Sequence, residues 1–198
     1  MIDFDPIAHE YKIHGQPVPS VTQIISEVIG HGWSAAKWFL DRGKAIHACA
    51  AFIAEGKKFK YDERLVGYVQ ALERFFKETK AEPIQIEMLV ASKTFHYAGT
   101  LDLICKIRNK KYIIDWKHNY DKTRTPIQIA AYSRALVEMS QENIIFGYGV
   151  EIRENGTYFM SEKIPLGIAG NVFLALRTAY SIKEKCGNLS KQKEQKNG

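Results

Sequence analysis

The apolar pattern of this 198-residue chain changes period near residue 84, and that change limits what the chain can fold into. Before it, apolar residues recur at helical spacing. Ser20-Val-Thr-Gln23 has the spacing of a capping box and opens a helix through Ile24, Ile25 and Val28, which Gly30-His31-Gly32 ends. An alanine-rich helical stretch runs from Ser34 to about Glu55. A third, from Glu63 to Lys80, repeats Leu65, Val69, Leu72 and Phe76. After the change, Ile84–Val90, Phe95–Ile107 and Lys111–Trp116 read as strands, the last two joined by Arg108-Asn109-Lys110.

The remainder alternates. Thr125-Pro126 starts a helix through Glu138 with proline at its first position. Ile144–Glu151 and Thr157–Ile164 form a strand pair around Glu154-Asn155-Gly156, and a last helix spans roughly Gly167–Lys185. Ahead of all this, His9–Ile13 and Pro17-Val18-Pro19 read as a small hairpin. Helices, a sheet, a helix, strands and a helix predict an α/β fold with a mixed central β-sheet flanked by helices. With 45% hydrophobic residues the chain suits one domain over 1–186, followed by a disordered lysine-rich tail at 187–198.

Net charge is +6, but residues 183–198 carry half of it, so any polyanion-binding surface must focus its charge in a groove. Cys49, Cys105 and Cys186 lie far apart, without the spacing of a zinc site, an iron–sulfur cluster or a disulfide framework. No apolar run reaches the ~18 residues of a membrane span. The acidic start, Met-Ile-Asp-Phe-Asp-Pro, lacks the regions of a signal peptide. The expectation is a soluble, cytoplasmic protein.

Chemistry concentrates between Glu87 and Tyr132. An acid beside an apolar run is costly unless it is paired or binds a metal. Here Glu87, Asp102 and Asp115 all sit in such runs, and Lys117 follows Asp115 by two residues. Adjacent antiparallel strands can bring Asp102 and Asp115 within a few ångströms, and Lys117 shares a strand face with Asp115. Trp116 then points the other way into the core and leaves its carbonyl available as a metal ligand. Mg²⁺ or Mn²⁺, which take hard oxygen ligands and keep several waters, need only two or three such carboxylates. An isolated Asp-x-Lys on a strand is more often a surface ion pair. The specific signal is the order of motifs: Glu87, Gly99-x-x-Asp102, Asp115-x-Lys117, Gln128-x-x-x-Tyr132.

That order, together with Arg42-Gly-Lys-Ala-Ile-His47 upstream, resembles the RecB-type branch of the PD-(D/E)XK nuclease superfamily, which takes in Cas4-like and phage exonucleases and the mitochondrial genome maintenance exonuclease. The resemblance implies a restriction-endonuclease-like core and a DNA nuclease, with His47, Asp102, Asp115 and the Trp116 carbonyl binding Mg²⁺ or Mn²⁺. It implies Lys117 as the catalytic lysine and Gln128 and Tyr132 lining the site or the DNA path. Glu87 stands where some members carry a further acid, and it is the least secure ligand. The four cysteines of iron–sulfur members are missing, which implies a cluster-free enzyme. Helicase motifs are absent too, so unwinding would come from a helicase or recombination partner, in a bacterial or phage-infected cell. Exonuclease action on DNA ends or single strands is the leading expectation. A structure-selective endonuclease and a catalytically silent nucleic-acid-binding module of the same fold are the alternatives.

Around the site, Arg42, Lys44, Lys122 and Arg124 are candidate phosphate contacts, and His118 is another. Trp33, Trp38 and Tyr120 are candidates for base stacking, with core packing the commoner role of lone aromatics.

Overall fold

The computed structural model describes residues 1–6, 8–30 and 37–196, without the side chains of 37–41 and 187–196. Three short strands come first: β1 (Ile2–Asp5), β2 (Glu10–Ile13) and β3 (Gln16–Val18), antiparallel in that order. The predicted hairpin is β2–β3, and β1 is an addition. His14 and Gly15, at φ 51° and 78°, form its two-residue turn, both in the left-handed region that suits strand twist.

Helix α1 (Val21–Ile29) is capped as its sequence predicts, with Ser20 Oγ accepting the Gln23 N–H at 3.0 Å. Only half of the capping box forms, because the Gln23 amide donates instead to the Tyr180 hydroxyl at 3.2 Å. Next come α2 (Lys37–Ala54), a 3₁₀ turn at 63–65 and α3 (Val66–Thr79). The strands β4 (Glu82–Ser92), β5 (Tyr97–Ile107) and β6 (Lys110–Lys117) follow, then α4 (Arg124–Ser140) and β7 (Phe146–Ile152).

Several boundaries differ from expectation, β4 being two residues longer at each end. Pro126 is the third residue of α4, since Arg124 and Thr125 already belong to it. The single strand expected at 157–164 is divided into β8 (Tyr158–Met160) and β9 (Ile164–Pro165), which pair with opposite ends of β7. Helix α5 (Leu166–Lys196) continues well past Lys185.

The main sheet has the order β4-β5-β6-β7-β8, with β9 beside β7. Only β6 and β7 run parallel, and α4 is the crossover that parallel pairing requires. The expected mixed sheet flanked by helices is borne out. One face carries α1, α4 and α5 over Leu101, Ile104 and Ile113. The other carries α2 and α3 over Leu103, Ile114, Trp116 and Val150. The β1–β3 sheet covers the outer part of β4 and β5 around Tyr11 and Ile13, tied on by the Ala98 N–H donating to the Pro19 carbonyl.

Strict alternation fails beside the acids, as it does at a register shift between Pro83 and Gln85. In β5, Leu101 belongs to the α4 side and Leu103 to the α3 side, although two residues apart should share a face. In β4, Met88 and Ile86 are split in the same way. Between them lie Asp102 and Glu87, and Glu87 has φ 48°. A glutamate held in the left-handed region costs about 1–2 kcal/mol. The sheet therefore switches faces, under strain, at two of the acids that the sequence singled out.

Candidate active site

The β5–β6 ladder stops at Leu103↔Ile114, one residue short of Asp102 and Asp115. Beyond that point β5 stays with β4 as far as Tyr97↔Ser92, while β6 follows β7 as far as Lys117↔Glu151. The sheet forks, and the two aspartates stand at its crotch. The Trp116 N–H opens into the fork and is taken by Asp102 Oδ2 at 2.7 Å. Trp116 itself points away as expected, 2% exposed and edge-on to Phe75 with ring centroids 5.0 Å apart.

Two groups of side chains meet at the fork. From the α2 side, His47 Nδ1 lies 3.3 Å from Asp102 Oδ1 and 3.9 Å from Glu87 Oε1. From the α4 side, Lys117 Nζ lies 2.5 Å from Asp115 Oδ2. Gln128 locks this second pair: its Oε1 accepts from Lys117 at 3.1 Å, and its Nε2 donates to Asp115 Oδ1 at 3.2 Å and to the Tyr132 hydroxyl at 2.9 Å. Gln128 and Tyr132, one turn apart on α4, thus face the acids.

A glycine explains why two of these motifs occur together. A Cβ on Gly99 would meet the Tyr132 ring at 2.7 Å, so the Gly of Gly-x-x-Asp is the space in which the Tyr of Gln-x-x-x-Tyr sits.

The acids differ in charge. Burial resists ionisation of Asp102, but His47, Lys117 and the Trp116 N–H together hold its pKa below the usual value. Burial and the neighbouring Asp102 push Asp115 up, against the pull of Lys117. Glu87 rises to about 7, from burial and then from Asp102. Burial disfavours the charge on His47, yet Asp102 and Glu87 outweigh it and lift that pKa to about 9. Lys117 is half-buried, which opposes its charge, and Asp115 and Asp102 keep it charged. Paired groups driven in opposite directions are characteristic of reaction centres.

The donor set suits a hard divalent cation. One nitrogen or oxygen from each of His47, Glu87 and Asp102 lies within 4.8 Å of the others, and the burial and neighbouring Asp102 charge that raise Glu87 are both offset by such an ion. Glu87, the least secure ligand on sequence grounds, is in this group. Asp115, the other expected carboxylate ligand, is joined to Lys117 and Gln128.

No protein-family model matches the chain, and no curated protein matches it in sequence. Among solved structures, the crystal structure of LHK-Exo in complex with dAMP overlays with a TM-score of 0.41 at 14% identity, over 87% of this chain and 94% of that one. An alkaline exonuclease (LHK-Exo) from Laribacter hongkongensis gives 0.35 at 13%, over 86% and 93%. Likeness at this level establishes neither a family nor an activity.

The candidate phosphate contacts are dispersed. The Arg42 guanidinium lies 5.5 Å from the centre of the Tyr68 ring and depresses the pKa of His118, after burial. Gly43, Ile46, His47, Lys117 and His118 line a small open pocket of ≈ 180 Å³ beside the acids. Lys44 and Lys122 are exposed. Arg124 is turned to the Gly30 carbonyl and to Asp121, 3.4 Å away. Tyr120 packs against Gly149 and Phe159. Trp33 and the Trp38 side chain lie outside the described residues.

Sequence reasoning missed Tyr11. Its hydroxyl is 3.0 Å from Thr100 Oγ1, and after burial and that hydrogen bond it feels the charges of Glu87 and Asp102. Its position in a short alternating strand carries only the signal of a core residue.

Proposed function

We propose that this chain is a metal-dependent nuclease on a restriction-endonuclease-like core, hydrolysing DNA phosphodiester bonds as an exonuclease on ends or single strands. One observation carries the reading. The forked sheet sets a charged lysine, fixed by Asp115 and Gln128, beside a cluster of His47, Glu87 and Asp102 fit to hold Mg²⁺ or Mn²⁺. An ion bound there supplies Lewis acidity toward the phosphodiester and hydroxide near neutral pH.

The protein's own groups divide the remaining work. Lys117, held ammonium by two carboxylates, orients the attacking water and balances charge on the phosphoryl oxygens. Gln128 sets its direction. Asp102 keeps His47 oriented while its other oxygen holds the Trp116 backbone. Arg42, Lys44 and Lys122 contact neighbouring phosphates, and His118 extends that path past the pocket.

A time course on end-labelled linear DNA and on closed circular single strands, with Mg²⁺, Mn²⁺ or EDTA, tests the reading. Metal-dependent release of nucleotides from linear DNA, with the circle intact, is expected. Cutting of the circle would make the enzyme an endonuclease. Binding without turnover at millimolar Mn²⁺ would make it a silent module, and cleavage that survives EDTA would sink the metal-dependent mechanism.

A further inference from the structure

Helix α5 has two apolar faces. Phe173 and Tyr180, with Leu174 and Leu176 beside them, are packed into the core against α4 and α1. The second face is exposed: Ile168 at 73%, Val172 at 43% and Ile182 at 59%, in line with exposed Ala175, Ala179 and Cys186. The steps between these six positions are 4, 3, 4, 3 and 4 residues, the 3.5-residue period of a coiled-coil seam. A straight apolar stripe about 27 Å long is a contact surface rather than scattered exposure.

We propose that this stripe is the seam of an antiparallel dimer, α5 against α5 of a second copy. The order of side-chain sizes is self-complementary. A two-fold axis near Arg177 sets Ile168 against Cys186, Val172 against Ile182 and Ala175 against Ala179, with bulk at the ends and small residues at the centre where the helix axes approach.

Charge selects the direction. Lys185 flanks the C-terminal half of the stripe, with Lys183 turned to Glu27 of α1 at 2.7 Å, whereas 166–176 contains no charged residue. Antiparallel pairing sets Lys185 beside the partner's uncharged half and opposes the helix dipoles.

Length adds a third reason. The α5 backbone runs ten residues past Cys186 to Lys196, so each helix extends beyond the start of its partner's α5. Next to that start lies an open groove of ≈ 430 Å³ lined by Val137, Ile145 and Leu166 among others, with Ile145 56% exposed. One helix pair makes an interface at the small end of the specific ones, so the association is read across a range of concentrations.

Sedimentation equilibrium of the full chain under reducing conditions, from about 1 to about 200 µM, tests this. The mass should rise towards twice that of one chain. Val172→Glu and Ile182→Lys, both at exposed positions, should keep the circular-dichroism melt and stay at one chain. A wild-type mass that stays at one chain throughout overturns the proposal, as does undiminished dimerisation of both variants. Ile168→Cys tests direction: mild oxidation should link residue 168 of one copy to Cys186 of the other, with Cys49 and Cys105 buried away. Links solely between identical positions would mean parallel helices and overturn the antiparallel seam.

Discussion

Lys117 is where the candidate chemistry is most exposed to test. Its ammonium is 2.5 Å from Asp115, a residue only 1% exposed, and without it burial and the Asp102 charge both oppose ionisation of that acid with less to offset them. Lys117→Ala is expected to lower kcat by on the order of 10² or more with folding retained, measured by single-turnover cleavage of end-labelled DNA beside a thermal melt. Gln128→Leu removes the amide that aims the lysine but neither charge. A loss of roughly tenfold in kcat with KM unchanged is expected, as for a misaimed group. A change confined to KM would instead mean that Gln128 binds DNA. The sequence marked both residues through motif order. It could not show that Gln128 bridges Asp115 and Lys117, because that contact joins a strand to a helix packed across it.

At the level of elements, the fork and the switch of faces in β4 and β5 organise the site, and both were invisible to pattern reading. The alternation rule assumes a regular pleat, in which Leu101 and Leu103 share one face. The structure divides them because Glu87, at φ 48°, turns the strand opposite Asp102. Strain of this kind is kept where function needs it. Glu87→Asn, which tolerates that conformation, is therefore expected to stabilise the metal-free protein by roughly 1 kcal/mol while weakening Mn²⁺ binding. Denaturant unfolding with and without Mn²⁺ measures both, and a destabilised variant would refute the strain account. The seating of Tyr132 gives a second test. Gly99→Ala inserts a methyl 2.7 Å from that ring and should cost about 1–3 kcal/mol and displace Gln128. Combining it with Tyr132→Leu should recover most of the stability and none of the Gln128 contact.

For the whole molecule, the clustered charges couple folding to pH. Glu87 binds its proton more tightly folded than unfolded, with its pKa moved from 4.5 to about 7, and His47 does likewise, from 6.5 to about 9. Asp115 is raised in the same sense. Each contributes stability that is full below its unfolded pKa and lost as pH climbs through the folded one. In EDTA the melting temperature should thus fall from about pH 5 to about pH 9, and the gain on adding Mn²⁺ should grow over the same range, since metal and protons compete for the same atoms. A flat profile would mean that the groups are not clustered as described. By itself the sequence determined the element order, the mixed sheet between helices, the buried aspartates and the lysine beside them, because periodicity and the cost of burying charge are local properties of a chain. The tertiary structure decided that β5 and β6 part at Asp102 and Asp115, that Glu87 joins His47 in a metal-fit cluster, and that Tyr11 from the first hairpin approaches the acids. Those are meetings of residues tens of positions apart, fixed by strand register and helix packing, and no local pattern records them.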